Sequence, residues 1–503
     1  MLWMRGLTSA ERKLVLAAQR GQRLRCEGAQ VIRADVIRDL LLGRHGAVDP
    51  RGVQLTGALV AGALDLEGVR TSSGLNLTDC RLLHPMIARD ADLPWLELIG
   101  CDVRALSADK IRVTGSVFLR QCVISAETGR RAVRFAGARI GGNLECDGSS
   151  ITSVSGPAFH AEDARIEGNL FLRDGFSGTA DTSLGTVTLN GAFVGGSLNL
   201  FNVTLANSSG PVLSANRLRV EGELWLGGDS SIQGKSWRAV IDLAGASLGG
   251  VRWSRFEIKN FEAGGALVCL DHVTTDYLSI SSNVLCEADV DYDCASGDLL
   301  IYGLMYGTLA TEGADWLSWL HWIQSHTRVY TAQSYSQLAG VEHASGNDVA
   351  VRRILIAQQD DRRFRGEFDS RWSRLRHRTW GLLAGYGYRV SRTVVATLTV
   401  LILAGLLGLW AGHTSIRDGR YVAGHTSRAE YPFTPCSTFE QIGLGIDRGL
   451  PLAATGVRER CDLDTISRRG QAFAMAIWLL QVAVWILATL VIVGYSGLIR
   501  RTD

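Results

Sequence analysis

A short unit, Gly-x-Leu-x-Leu, returns through the middle of the chain at a nearly fixed interval, and this limits the fold more than any other feature. It reads GALDL (62–66), GSVFL (115–119), GNLEC (142–146), GNLFL (168–172), GSLNL (196–200) and GELWL (222–226), with weaker copies PWLEL (94–98) and GGVRW (249–253). Its first apolar residues from Leu96 onward are Val117, Leu144, Leu170, Leu198, Leu224 and Val251, at steps of 21, 27, 26, 28, 26 and 27. Leu75 and Leu278 extend the series by 21 and 27. A fixed period of this size marks a stacked repeat architecture. Each copy alternates apolar and polar residues, so each is a short strand. One strand per turn, with turn residues such as Ser-Ser-Gly between copies, fits a parallel β-helix with Leu and Val stacked inside and Gly at the corners. A propeller blade needs about 40–50 residues, and a sandwich has no reason to keep a period. Cys80, Cys101 and Cys122 are also 21 apart. They are expected to stack as small buried residues, not to act in redox chemistry.

Charge divides the chain further. Residues 51–300 carry 21 basic and 29 acidic side chains, whereas residues 351–392 carry 11 basic and four acidic. The whole chain has a net charge of +2, so no general case for nucleic acid exists. The basic block runs straight into an uncharged stretch between Arg392 and Arg417, and a second lies between Arg469 and Arg500. Both exceed the roughly 20 apolar residues that cross a bilayer. Arg371, Arg374, Arg376, Arg378, Arg389 and Arg392 precede the first span, and Arg500 and Arg501 follow the second. The positive-inside bias therefore puts both termini in the cytoplasm of a cell-membrane protein. The start MLWMRGLTSAERKL has no apolar signal region. Cys436 and Cys461 fall in the loop on the outer side and are expected to form a disulfide, while the other eight cysteines are expected to be reduced.

Local motifs point to little chemistry. Gly245-Ala-Ser247-Leu-Gly249 matches a nucleophile elbow, but Ser247 fills a repeat slot held elsewhere by Leu59, Arg139 and Phe193, with no helix after it. DSSIQGKS (229–236) imitates a phosphate-binding loop without its first glycine or its helix. Glu287, Asp289, Asp291 and Asp293 alternate along one strand face. They are weak metal-ligand candidates, since four carboxylates can hold a hard cation but more often form a solvated row. No cofactor motif is found. Residues 8–43 read as a helical cap, with Ser9 as a candidate N-cap, and DWLSWLHWIQSH (315–326) as an amphipathic helix that closes the β-helix or lies on the membrane. YSQLAGVEHASGNDVAVRRILIAQQ (335–359) reads as a helical hairpin turning at Ser345-Gly346-Asn347.

The order of these segments is distinctive: DPRGVQLTGALVAGALDLEG (49–68), the coils, the 335–359 hairpin, YGYRVSR (386–392), and FEQIGLGIDRGLPLAATG (439–456) between the two spans. Over nearly its whole length the chain resembles a family of uncharacterised, mostly actinobacterial membrane proteins with a pentapeptide-like β-helix and two C-terminal transmembrane helices. Some of its members are labelled membrane-associated oxidoreductases. That resemblance implies an oxidoreductase, but no nucleotide fingerprint or cytoplasmic redox pair supports it in these residues.

The resulting expectation is a mainly β chain with four parts. These are a helical cap (1–48), a parallel β-helix of about ten coils, taken as right-handed (49–300), a helical connector (301–390) and a membrane domain (391–503). The spans fall at 393–413 and 472–498, with an outer loop at 414–470. The expected role is a scaffold whose β-helix face or connector binds a protein partner at membrane lipid, without cofactor, metal or nucleic acid. Homo-oligomerisation stays open. An oxidoreductase and a channel or transporter subunit are the alternatives. GLGIDRG (443–449) is the place to look for a pore element.

Overall fold

The computed structural model describes residues 6–28, 30–126, 132–281, 284, 299–310, 312–365, 390–417, 420–426, 436–450 and 456–495. The chain divides into two compact units, 1–355 and 356–503.

The first unit is a parallel β-solenoid of about ten turns. Its strands form one 17-stranded sheet and two 10-stranded sheets. Each turn visits four short segments, two of them on the wide sheet. In one turn these are Leu96–Ile99, Asp102–Val103, Leu106–Ser107 and Arg112–Val113. Leu75, Leu96, Val117, Leu144 and Leu170 pair in parallel register on successive turns, and Leu198, Leu224, Val251 and Leu278 continue the column. The repeated leucines of the sequence are thus one stack. Inside the turn, buried side chains recur every five residues: Leu98, Val103, Ala108 and Val113 form one set, and Leu96, Cys101, Leu106 and Ile111 the other. Each fully buried Leu or Val contributes about 1.5–3 kcal/mol relative to exposure.

The Gly-Asn and Gly-Ser pairs that open the repeats have a backbone role. Asn143 N donates to Ser116 Oγ at 3.0 Å, Asn169 N to Asn143 Oδ1 at 2.9 Å, and Ser197 N to Asn169 Oδ1 at 2.8 Å. This polar ladder satisfies amides where the wide sheet bends and strand pairing lapses. At another corner the chain passes through the left-handed region on every turn. Gly137, Asp163, Gly191, Arg217 and Gly245 occupy that corner on successive turns, with φ from 52° to 68°.

The step from 21 to 27 residues per turn has one location. Between the two narrow sheets, the turn that follows Asp102–Val103 reaches Leu106 within a few residues. From Val123–Ala126 onward about six more residues intervene before the next strand, Val133–Arg134. The same insertion recurs after Ser150–Ser153, Ser177–Ala180 and Thr204–Asn207. The remaining sides keep their lengths.

The solenoid begins earlier than the 49–300 boundary expected. Leu24–Arg25 pairs with Leu55–Thr56, and Val31–Arg33 with Leu59–Ala61, so the N-terminal segment contributes strand as well as the helices α1 (Ser9–Gln19) and α2 (Ala34–Leu41). The cap of α1 is Thr8, not Ser9, in a reciprocal capping box with Glu11. Glu11 has no exposed surface and receives Arg33 Nε at 2.7 Å and Nη2 at 2.8 Å. At the other end the last strand is Met305–Leu309, followed by α3 (Trp316–Ser325) and a hairpin of α4 (Ala332–Ala344) and α5 (Asp348–Arg365). Trp319 and Trp322 of α3 are buried, and Trp319 Nε1 donates to Tyr306 Oη at 2.8 Å. Gln337 Nε2 donates to the Tyr306 carbonyl at 2.6 Å. These helices cover the apolar end of the coil and occupy strand edges that would otherwise be open.

The second unit holds two helices long and apolar enough to cross a membrane, α6 (Val390–His413) and α9 (Arg468–Tyr495). Between them lie α7 (Thr438–Gly449), the single turn α8 (Val457–Arg460) and a small ladder pairing Ala423–His425 with Cys461–Leu463.

Candidate functional site

Most of the sequence-derived candidates lie outside the described residues: Glu287, Asp289, Asp291 and Asp293, and also Arg371, Arg374, Arg376, Arg378, Arg389, Arg500 and Arg501. Arg392 lies in the first turn of α6 and is exposed. Among the described residues no group of three or more His, Cys, Asp or Glu is placed to hold a metal. Cys436 and Cys461 are joined by a disulfide, with their Cα atoms 6.1 Å apart. Ser247 opens the strand Ser247–Trp253, in register with Arg219 and Thr274, with strand and no helix after it, so the elbow geometry is absent there. Its column contains Arg139 and Phe193, but Leu59 belongs to a narrow sheet, opposite Val31 and Arg81.

In the second unit α7 runs antiparallel to α6 for three turns, and small residues set the spacing. Ala404, Gly408 and Gly412 form one row, and Gly445 and Gly449 the facing one. A Cβ placed on Gly408 would meet the Gln441 carbonyl and come within 2.7 Å of Gly445 N. This is the small-xxx-small packing of helices that approach closely. The same segment buries polar groups, and Gln441 is the one that lies against α6. Gln441 Nε2 donates to the Cys436 carbonyl at 2.6 Å, and its buried Oε1 has no hydrogen-bond partner among the described residues. Asp447 has no exposed surface and lies 2.6 Å from Arg458 Nε. Arg448 pairs with Asp462, its Nε at 3.0 Å. The disulfide ties the start of α7 to the strand that carries Asp462. Asp447 and Arg448 lie in GLGIDRG (443–449), the segment that the sequence marks for a pore element, whereas Gln441, Arg458 and Asp462 carry no sequence signal.

On the solenoid two outer features stand apart. The first is the corner built by the six-residue insertions. Val154, Leu184, Trp237 and Phe261 lie there, 54, 48, 80 and 63% exposed. The core does not use them, and their loops carry them clear of the sheets. The second is the wide sheet. On its outer surface one column pairs aromatic rings with arginines and carboxylates. Arg120 stacks 4.4 Å from the Phe118 centroid and reaches Glu145, Arg173 stacks 4.2 Å from Phe171 and reaches Asp147, and Arg252 lies between Trp225 and Tyr277 while bonding Glu223 at 3.2 Å. A parallel column, Asp92, Arg112, Arg139, Arg165, Phe193 and Arg219, runs in register along the solenoid axis.

The interior cysteines form the stack read from the sequence. Cys80, Cys101 and Cys122 are buried, and their thiols donate to the carbonyls of Leu55, Leu77 and Leu98 on the preceding turn. The contact with Cys122, together with burial, pushes the Cys101 thiol up to about 12. Burial likewise pushes Cys269 up to about 12. Thiols held protonated in this way are poor nucleophiles. A cleft of about 350 Å3 opens where the wide sheet meets α4, lined by Ser247, Thr274, Asp276, Met305 and Gln337.

No protein-family model, no curated protein and no solved structure matches the chain.

Proposed function

We propose that this chain is a membrane-anchored platform whose β-solenoid holds a protein partner at the cytoplasmic surface. The observation that carries this reading is the inserted corner. Four large apolar side chains are exposed on loops added at one corner of otherwise regular turns. Apolar groups kept in water on a rigid scaffold, with no role in its core, mark an interaction site. A solenoid offers this surface over its whole length. Anchoring is supported by α6 and α9, and by the Arg-rich segment before α6, whose attraction to anionic lipid amounts to about 1 kcal/mol per Arg near the surface. The Cys436–Cys461 disulfide supports placing the loop between the spans on the oxidising side. The oxidoreductase label gains no support from the cysteine stack, whose thiols are buried and held protonated.

The test is a photo-crosslinker at Trp237 in intact cells, with the captured species identified by mass spectrometry. One reproducible protein, lost when the probe is moved to a paired residue such as Arg81, supports the platform. Capture of lipid alone, or an unselective spread of abundant proteins, refutes it.

A second reading, a subunit of a transport system, is favoured by the ion pairs Asp447–Arg458 and Arg448–Asp462 of the second unit, the first of which has a fully buried carboxylate. Ionisable groups inside a membrane domain commonly line a path for ions or substrate. Reconstituted protein whose ion flux is abolished by Asp447→Asn would favour this reading over the platform.

A further inference from the structure

The arginine column of the wide sheet differs from the rest of the solenoid surface. Most solenoid arginines have a carboxylate partner, as in Arg81–Asp102, Arg89–Glu67 and Arg134–Asp109. Arg112 and Arg139 are exposed, stand in register on adjacent turns, and make no ion pair or hydrogen bond through their side chains among the described residues. Lys110, two residues before Arg112 at the left-handed corner, is exposed and unpaired as well. The next turn adds Arg165, which is held by Glu167 at 2.6 Å and by the Phe193 ring, 4.2 Å from its guanidinium.

Parallel strands lie about 4.8 Å apart, so the backbones that carry these two like charges are fixed about 5 Å from each other. Asp92 precedes Arg112 in the column, but the three places from Arg112 to Arg165 are all arginine, although residues 51–300 have eight more acids than bases. The surroundings of Arg139 are also bare. Gly137 and Gly141 flank it, and a Cβ at Gly141 would collide with the Thr114 carbonyl, so no side chain can be added there to cover the guanidinium. The result is a local cationic strip on an acidic domain, aligned with the solenoid axis.

The spacing indicates the kind of partner. Arg112 to Arg165 spans two rungs, about 9.6 Å. On an extended strand, residues of one face are about 6.6 Å apart, and this falls out of step with the rungs by nearly 2 Å each time. On an α-helix, positions i, i+4 and i+7 share a face and span about 10.5 Å, which follows the rungs within about 1 Å. We propose that this strip docks an acidic helix of the partner protein, lying along the solenoid axis with carboxylates at i, i+4 and i+7 on Arg112, Arg139 and Arg165. An apolar residue one turn further on meets Phe193. The proposal rests on the platform reading and names the chemistry of its partner.

The test uses the full chain in nonionic detergent and a labelled, helix-stabilised, Ala-based peptide with Glu at i, i+4 and i+7 and Leu at i+11. A control peptide of the same composition spreads its Glu residues around the helix. Fluorescence anisotropy at about 50 mM salt should show the patterned peptide binding about tenfold more tightly than the control. The double variant Arg112→Gln/Arg139→Gln should remove that advantage, and added salt should weaken it. Arg134→Gln, at a paired residue on a narrow sheet, should leave it intact. Equal binding of the two peptides, or an unchanged double variant, overturns the proposal. Inorganic pyrophosphate that displaces the peptide and itself binds more tightly, with the same Arg dependence, also overturns it and makes the strip a phosphoryl-anion site. The Trp237 crosslink reads the platform independently. A partner still captured there in the double variant, together with a failed peptide test, rejects the strip and leaves the platform standing.

Discussion

Adding one methyl group to α7 should loosen the second unit, and adding the same methyl group two residues away should not. A Cβ on Gly445 would collide with the Ala404 carbonyl oxygen, 2.8 Å from its carbon and 3.0 Å from Gly408 N. All three are backbone atoms of α6, so no side chain can rotate aside and α7 must back away. Restoring contact distance takes a displacement of about 1 Å, which forfeits a quarter to a half of each dispersion contact along the small-residue rows. Overpacking of this kind costs about 1–3 kcal/mol, and the better helix propensity of Ala returns just under 1 kcal/mol of it. A net loss of up to about 2 kcal/mol is the expectation for Gly445→Ala. At Gly443 the nearest atom is Val457 Cγ2 at 3.5 Å, an ordinary contact. Gly443→Ala should therefore keep the propensity gain and be neutral or stabilising. The assay is thermal unfolding of the purified full chain in detergent, with a maleimide gel shift to score Cys436–Cys461 pairing. Gly445→Ala should melt earlier and leave more free thiol. Equal or greater stability for Gly445→Ala than for Gly443→Ala would refute the close packing of α7 on α6.

Three further outcomes follow from other parts of the chain. Burial raises the Glu11 carboxyl, but hydrogen bonds from Arg33 and from the backbone of Thr8 outweigh it and hold the pKa at about 2 instead of the ordinary 4.5. A depressed acid stabilises fully above its unfolded value, so the N-terminal helices should lose about 2 kcal/mol as pH falls from 4.5 towards 2, after discounting for the half-exposed Arg33. Hydrogen exchange of α1 and α2 should show this loss in the native chain, and Glu11→Gln should be weaker at neutral pH and flat across that window. Cys80, Cys101 and Cys122 should resist alkylation at pH 8 in the folded chain and react at once in denaturant. Mass spectrometry showing rapid native labelling would contradict their enclosure. Arg217 holds φ 56° in a column where Gly137, Gly191 and Gly245 take similar values. Arg217→Gly should raise the thermal midpoint, by relief of about 1 kcal/mol of strain.

The solenoid could be read from the sequence because its signal is redundant. Leu96, Val117, Leu144 and their successors repeat one slot, and their stacking in the structure is that period made visible. The four-sided turn was harder to see. Its strands on the narrow sheets are often two residues long, and inward slots filled by Ala108 or Cys101 break the apolar pattern of Leu98 and Val103. For the same reason Leu59 looks equivalent to Arg139 in sequence but stands in another column, since Gly-Ala-x opens two different corners. Ser9 and Thr8 are both capping residue types, and only Thr8-x-x-Glu11 has the spacing of the reciprocal box that fixes the helix start. In the second unit, α7 was hidden by its charges. Asp447 and Arg448 read as loop residues, and only the four-residue spacing Ala404, Gly408, Gly412 against Gly445, Gly449 signals a helix meant to lie against another. The Gly-Ala-x slot already holds Arg139, but that Arg112 and Arg165 share its column is visible only in the strand register.

The six-residue lengthening at a single corner of the turns from Val123–Ala126 onward has a consequence for change over time. In most of the coil, an inserted residue would shift every later side chain from inside to outside and break the ladder with both neighbouring turns. At that corner, chain length is decoupled from register. Recognition loops can be exchanged, extended or recombined there while the stacked framework stays constant, and an epitope or labelling tag placed between Thr204–Asn207 and Leu213 should leave the fold intact.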